Sequence, residues 1–510
     1  MKKYFSKRED YIRVIIFGLY LIFNGVLLLR HEMWRDEVNV WLMGRDLSVI
    51  QLFQEIKYQG HPCLWYLLIM PFAKLGLPCH IMGVISYSVM GLGAGIYMWK
   101  APINMLVKAI TLFSPIFTYY YTDIARGYCL VAFLIILLAY FYSIRNMKPL
   151  FYGLLLGLLV QADTIAFPVA GIISGMWLLE NVGVSIRNEK YDVVITAVKG
   201  LWIPLVSLLL WILQFYQVSD SPVYQVSSYG LSDFVKAVVD YCLYIIQRLT
   251  GWDKNVCVWF YIILLVGGCI ISYLGKNIWP LLVFSVTVLF FGVFSCMIYQ
   301  LNIWHFISLL FVYIWMLWVY AQKKRDREEQ GLCLSNRQKN IYKYSFVVLE
   351  VLLAVMAMFM FIRWNSQIET SSLQNALYGS YSDGEKAAQY IVDNVDTEEL
   401  IVTTDVAFAS TIWGFAKEYR SYYAGSMEET SYADWSEKQT KTIAYEELLK
   451  EIRTKYGEKD SFILIKCTDS CIHDFEDSGE NCEVLYKTNT PSAQREDYII
   501  YRVKIKDNEG

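Results

Sequence analysis

The sequence predicts an all-α polytopic membrane protein of about 11 transmembrane helices with outer juxtamembrane helices, plus a small C-terminal extracytoplasmic α/β domain. Three observations carry this. First, 56% of the 510 residues are hydrophobic and only 18% are charged, against about 25% charged in soluble domains; mean hydropathy is +0.34. Second, several apolar runs approach the roughly 20 residues that cross a bilayer. Third, the charge is unevenly spread. Residues 363–510 hold 16 Lys+Arg against 28 Asp+Glu, whereas residues 1–362 hold 29 against 20. The chain therefore divides into a basic, apolar transmembrane domain (1–362) and an acidic soluble domain (363–510). An ordinary soluble enzyme is disfavoured, and the acidic tail argues against nucleic acid as a partner.

In chain order, the basic residues Lys2, Lys3, Lys7 and Arg8 precede an apolar run with no A-x-A cleavage site, which reads as a first span rather than a removed signal peptide. Apolar runs follow at 14–29, 64–78, 82–98, 102–118, 128–144, 150–162, 165–182, 198–215, 256–274, 278–300, 303–320 and 344–362. The run at 64–78 is short and holds Pro71 and Lys74. If it does not cross, Lys100, Arg145 with Lys148, Arg187 with Lys190, Lys276 and Lys323-Lys324-Arg325 all fall in the cytoplasm with the N-terminus. If it crosses, all five basic loops move outside. The expectation is eleven spans, a cytoplasmic N-terminus, and an extracytoplasmic C-terminal domain.

Lys108 and Glu350 lie inside spans, where a charge must face protein or, for Lys108, snorkel. Between the first two spans, Trp34 and Trp41 suit a membrane interface. Val38, Trp41 and Leu42, then Val49, Leu52, Phe53 and Ile56, fit helices lying on the bilayer. Asp36 would cap the first, and Ser48 with Gln51 would open the second at Val49. In the tail, residues 383–395 and 443–456 read as helices; Leu400–Thr403, Phe462–Lys466 and Tyr498–Val503 read as strands. Seven of the eleven cysteines sit in or beside apolar runs as small hydrophobes. Cys333 falls in a basic loop. Cys467, Cys471 and Cys482 lack a second Cys/His pair to complete a zinc site.

Under this topology several uncommon polar residues reach one outer face: Asp36 and Glu37, His61, Asp123 and Arg126, and His305, with His31 beside Asp36. Acid, base and Arg at an apolar boundary make a functional-site hypothesis. Each has a structural reading too: helix capping for Asp36, dipole complementation for Glu37, an i,i+3 ion pair on a helix for Asp123 and Arg126, backbone bonding at a turn for His61, and a satisfied interfacial histidine for His305. The outer segment 216–255, with Tyr224, Tyr229, Tyr241, Tyr244 and Arg248, reads either as a lid over a lipid or acceptor or as a surface-lying helix.

Arg35-Asp36-Glu37 after the first span, Gly60-His61-Pro62 with Trp65-Tyr66, and Asp123 with Arg126 after the third span together resemble the GT-C membrane glycosyltransferases, nearest the protein O-mannosyltransferase and aminoarabinose-transferase branches. The resemblance covers about the first 320 residues and is strongest over 30–130. Where those branches commonly read His-Pro-Pro or Lys-Pro-Pro, this chain has His61-Pro62-Cys63. The resemblance implies inverting transfer of a sugar from a polyprenyl-phosphate donor to an envelope glycan, lipid or protein acceptor on the outer face. It implies Asp36 as the catalytic carboxylate, Glu37 as its neighbour, Asp123 as a second acid, and phosphate contacts at Arg126 and His61; His305 and Arg248 join the substrate-binding candidates. A hydroxyl nucleophile needs a base, whereas the phosphate leaving group needs no acid. No metal site is assigned, although Asp36, Glu37 and Asp123 are hard ligands that would suit a divalent ion. Two rivals stand beside this reading. One is a transporter or flippase of lipid-linked sugars, which would spread polar groups through the membrane depth. The other is a noncatalytic scaffold displaying the tail.

Overall fold

The computed structural model describes residues 2–216, 230–331, 334–366, 372–475 and 481–505; Tyr224, Tyr229 and Cys333 lie outside them. The chain forms two compact units: Met1–Leu28, Ile85–Gln214 and Val223–Ser366 make one, and Leu29–Val84, Phe215–Pro222 and Gln367–Gly510 make the other.

The first unit is helical. Across the described residues, eight helices are long and apolar enough to span a bilayer: Arg8–Arg30, Ile81–Lys100, Ala166–Asn188, Asp192–Phe215, Lys254–Gly275, Trp279–Met297, Ile303–Glu329 and Asn336–Ser366. This is a multi-pass membrane protein. The other three expected spans fall on shorter apolar helices, Met105–Leu112, Tyr128–Tyr140 and Pro149–Ala162. At 1.5 Å per residue these reach only about 12–21 Å, short of the roughly 30 Å hydrocarbon core. The first stops early because Ser114 and Pro115 follow it and Tyr119 takes a left-handed φ of 58°. Residues 113–127 then run as buried turns, which satisfy one another through bonds such as Thr118 N–H to Ser114 O (3.2 Å) and Asp123 N–H to Tyr119 O (2.9 Å). The run at 64–78 forms only Leu64–Lys74, too short to cross as a helix.

Both intramembrane charges face protein. Lys108 Nζ donates to Met98 O at 2.9 Å, and Glu350 Oε1 accepts from the Asn104 N–H at 2.7 Å. The basic loops gather at one end of this unit. Arg145 and Lys323 both pair with Glu180, Lys100 and Arg325 line one cavity of about 430 Å³, and Arg327 donates to Leu274 O. Residues 231–250 of the expected loop form the helix Leu231–Thr250, whose Val238, Leu243, Ile245, Ile246 and Leu249 are buried.

The second unit carries the sheet. Its strands are β1 (Ile401–Thr403), β2 (Ser421–Tyr423), β3 (Glu429–Thr430), β4 (Ile443–Ala444), β5 (Ser461–Lys466), β6 (Ile472–His473), β7 (Cys482–Lys487) and β8 (Ile499–Lys504). Six run in the order β3-β2-β1-β5-β8-β7, with β1 parallel to β2 and β5 and the other pairs antiparallel; β4 and β6 form a separate parallel pair. The helices Gly384–Asn394 and Tyr445–Tyr456 appear where the pattern placed them. Val402, Phe462, Leu464 and Val503 from the sheet bury against Leu448 and Ile452 of the second helix. Each such side chain contributes roughly 1.5–3 kcal/mol.

Residues 29–84 belong to this unit rather than to the helices that flank them in the chain. They form helices Arg35–Asp46, Val49–Glu55 and Leu64–Lys74. The Ser48–Gln51 capping box is present, opening the second at Val49. The first helix departs from expectation twice. Its N-cap is Trp34, which puts Asp36 at the second helical position instead of the cap. Its apolar face is covered by protein instead of lying on a bilayer, since Trp34, Val38, Trp41 and Leu42 are all buried. Helix Val406–Phe415 packs so closely there that a Cβ on Gly414 would overlap Val38 Cγ1. Val49, Ile50 and Phe53 of the second helix remain exposed.

Candidate active site

The adjacent carboxylates Asp36 and Glu37 have different surroundings. Glu37, at the third helical position, has a side chain that is 0% exposed. Its Oε2 accepts from the Trp34 N–H at 3.2 Å and lies 2.8 Å from His31 Nε2. It ties down the helix start and holds an imidazole. Asp36 precedes it by one residue, points elsewhere on the helix, and is 24% exposed. The helix N-terminus favours the negative charge of both.

Arg35 extends the pair. Its Nε lies 3.9 Å from Asp36 Oδ1, and its guanidinium sits over the Phe408 ring, 4.3 Å from the centroid. Its backbone N–H donates to Glu496 Oε1 at 2.8 Å, and Nη1 lies 3.6 Å from the same oxygen. Glu496 is wholly buried, and its Oε2 accepts from the Ser382 hydroxyl at 2.6 Å and the Thr411 hydroxyl at 3.1 Å. Burial pushes its carboxyl up to about 7, the Arg35 charge and the three donors offsetting only part of that. Further ties run from the same short segment to the C-terminal residues. Glu32 accepts from the Tyr381 N–H (2.6 Å) and Ser382 N–H (3.1 Å) and pairs with Lys386 Nζ (2.8 Å). Asn39 exchanges bonds with both backbone groups of Ala433, at 2.7 and 3.1 Å. Arg45 Nη1 donates to Trp413 O at 3.0 Å.

His61 is half-buried on the turn made by Gly60, whose φ of +70° suits a residue without a Cβ. It leads into Leu64–Lys74.

The remaining candidates belong to the membrane unit. Asp123 is buried in the turn segment, where its Oδ2 accepts from the Tyr119 N–H at 3.1 Å. Residues 113–127 are not helical, so Asp123 and Arg126 do not share a helix face as expected. Arg126 lies 5.3 Å from the Tyr128 ring centroid. The Tyr128 hydroxyl is 3.2 Å from His305 Nε2, and His305 Nδ1 accepts from the Asn302 N–H at 3.0 Å. That acceptor role puts the proton of a neutral His305 on Nε2, so Nε2–H donates to Tyr128. Arg126, Tyr128 and His305 therefore converge, with Tyr121 stacked on Tyr128 at 5.4 Å. They stand at the start of helix Tyr128–Tyr140, whose far end reaches the basic loops. Arg248 lies in the last turn of Leu231–Thr250 and makes no hydrogen bond or ion pair to a described residue. Among the described residues no group of three or more His, Cys, Asp or Glu is placed to hold a metal ion.

Three of these residues are not candidates from the sequence: Arg35, which stands inside a motif already singled out, Tyr128, two residues after Arg126, and Glu496, which has no local signal.

No protein-family model matches the chain. No curated protein sequence matches it either. Among solved structures, it is similar to ArnT from Cupriavidus metallidurans bound to undecaprenyl phosphate, with a TM-score of 0.50, 10% identity and 98% of each chain covered. Both the helical unit and the C-terminal sheet fall within that match, so the chain has the fold of an ArnT-like GT-C membrane glycosyltransferase.

Proposed function

We propose that this protein transfers a sugar from a polyprenyl-phosphate donor to a hydroxyl or amine acceptor in the cell envelope, with inversion at the anomeric carbon. The observation that carries the reading is the fold shared over 98% of both chains with a protein whose structure holds undecaprenyl phosphate. The local geometry supports it. Of the two adjacent carboxylates, Glu37 is enclosed by Trp34 and His31, whereas Asp36 reaches solvent. Asp36 takes the proton from the acceptor as its oxygen or nitrogen bonds to the anomeric carbon. The bond from that carbon to the phosphate oxygen breaks, and polyprenyl phosphate leaves with the electron pair. A phosphate monoester is already a good leaving group, so no general acid is needed.

Arg126 and the neutral His305–Tyr128 pair are suited to a phosphate, one as a charge-assisted donor and the other through the Tyr128 hydroxyl. His61, Asp123 and Arg248 complete the assignment, His61 and Arg248 on the donor phosphate and Asp123 holding the turn that presents Arg126. We place the C-terminal domain and Asp36 outside the cell membrane and the N-terminus in the cytoplasm. The basic loops, gathered at the end of the helical unit away from Tyr128 and His305, support that orientation.

The test uses cells lacking the protein. Mass spectrometry should find a polyprenyl-phosphate sugar that accumulates and an envelope component that loses the same sugar. Complementation with Asp36→Asn should restore neither. A flippase would instead leave the lipid-linked sugar trapped on the inner leaflet, with transfer intact in detergent extracts.

A further inference from the structure

We propose that Glu496 is a positioning residue for Asp36, acting through Arg35. This rests on the reading of Asp36 as the base and adds a role for the C-terminal domain.

Arg35 opens the helix that carries Asp36, and its backbone N–H is one of the donors that the helix start leaves without an intrahelical acceptor. Glu496 supplies that acceptor from 461 residues away, at 2.8 Å. It also faces the guanidinium, which is pinned between Phe408, Gln494 O and Asp36. The arrangement fixes both the first helical residue and the cation nearest the candidate base. Glu496 is itself held by Ser382 and Thr411, so its carboxylate has little freedom to follow a moving helix. A buried carboxylate is costly in a sheet domain that could bury an apolar residue instead. Of its two oxygens, Oε1 faces the start of the Arg35–Asp46 helix and Oε2 is held by the domain's own hydroxyls. The charged and titratable groups around it are Arg35, Asp36 beyond Arg35, Asp405 at the start of Val406–Phe415, and Tyr498 on its own segment. With the carboxyl pushed up to about 7, its charge on Arg35 fades as pH falls below neutrality.

The experiment uses the full chain purified in detergent and, as donor, the polyprenyl-phosphate sugars extracted from cells that lack the protein. Glu496→Gln keeps the shape and the acceptor but removes the charge. It should lower the saturating rate at pH 8 roughly ten- to hundredfold, the range a small misplacement of a catalytic group produces. The half-saturating donor concentration should stay within about threefold. The wild-type rate should fall below about pH 7, and the variant's profile should lose that limb. Hydrogen exchange at the amides of residues 35–38 should speed up in the variant. If Glu496→Gln does not purify folded, Arg35→Lys carries the same comparison, because it keeps the charge and loses the fork over Phe408. A wild-type rate in the soluble variant overturns the proposal. So does a lowered rate with unchanged exchange at 35–38. Asp36→Asn separates the two claims: if it is inactive while Glu496→Gln is fully active, only the positioning role fails. If Asp36→Asn is active, the assignment of the base fails.

Discussion

Glu496 should make the stability of its own unit depend on pH with a definite sign. Its carboxyl stands at about 7 in the folded protein against 4.5 in an exposed chain. Between those values the folded state binds more protons than the unfolded state, so stability falls as pH rises through the window. The difference between 4.5 and about 7 corresponds to about 3 kcal/mol, nearly all of it lost across that window. Two neighbours act in the same direction. Asp405 is raised by burial, and His80 is raised by its hydrogen bond to Glu385, so it too favours the folded state at low pH. Glu496→Gln cannot titrate and should remove the largest part of the slope. The assay is pulse proteolysis of the full chain in detergent, scoring cleavage within residues 372–505 against urea at pH 5 and pH 8. The wild type should open at clearly lower urea at pH 8, whereas the variant should change by less than half as much. A wild-type midpoint that is flat, or that rises from pH 5 to pH 8, would refute the burial argument for this carboxyl.

Other consequences follow from particular contacts. Gly414→Ala forces a Cβ into Val38 and should destabilise the packing of the Val406–Phe415 helix by about 1–3 kcal/mol, read as a lower thermal midpoint. Asn39→Ala leaves the buried Ala433 N–H without its acceptor, while the carbonyl keeps Gln59, and should cost about 1–3 kcal/mol in the same measurement. Arg126→Ala should weaken binding of undecaprenyl phosphate at least about tenfold, and Tyr128→Phe should weaken it less; equal binding in both variants would remove these residues from the donor site. In the helical unit, Gly153→Ala should fail to accumulate in membranes, because its Cβ would overlap the Gly200 carbonyl where Pro149–Ala162 crosses Asp192–Phe215.

Much of the fold was legible because it rests on local patterns. The long spans announce themselves by apolar length. Phe462–Lys466 and Tyr498–Val503 show as short β-rich runs between polar residues, within a residue of the observed strands. The Val406–Phe415 helix was not legible, because eight of its ten residues are buried and a helix covered all round has no polar stripe to mark its period. Residues 113–118 read as the end of a span because composition alone does not show that Ser114, Pro115 and a left-handed Tyr119 break the helix into turns. The site was visible as residue types, and the contacts that give those types their roles were not. Asp36 has the look of a cap, yet Trp34 takes that place and Glu37 bonds back to it. Glu37 is legible as the neighbour of the candidate base, but its contacts with His31 and the Trp34 N–H are not. Glu496 and Ala433 meet residues 35 and 39 from the other end of the chain, a pairing no window of sequence contains.

The central claim, that Asp36 drives sugar transfer from a polyprenyl-phosphate carrier, is tested most directly by single-turnover transfer from the lipid-linked sugar that accumulates in cells lacking the protein. Purified wild-type protein should release polyprenyl phosphate and glycosylate the acceptor with inverted configuration. Asp36→Asn, folded and still binding the lipid, should do neither. Transfer by Asp36→Asn at the wild-type rate would contradict the account.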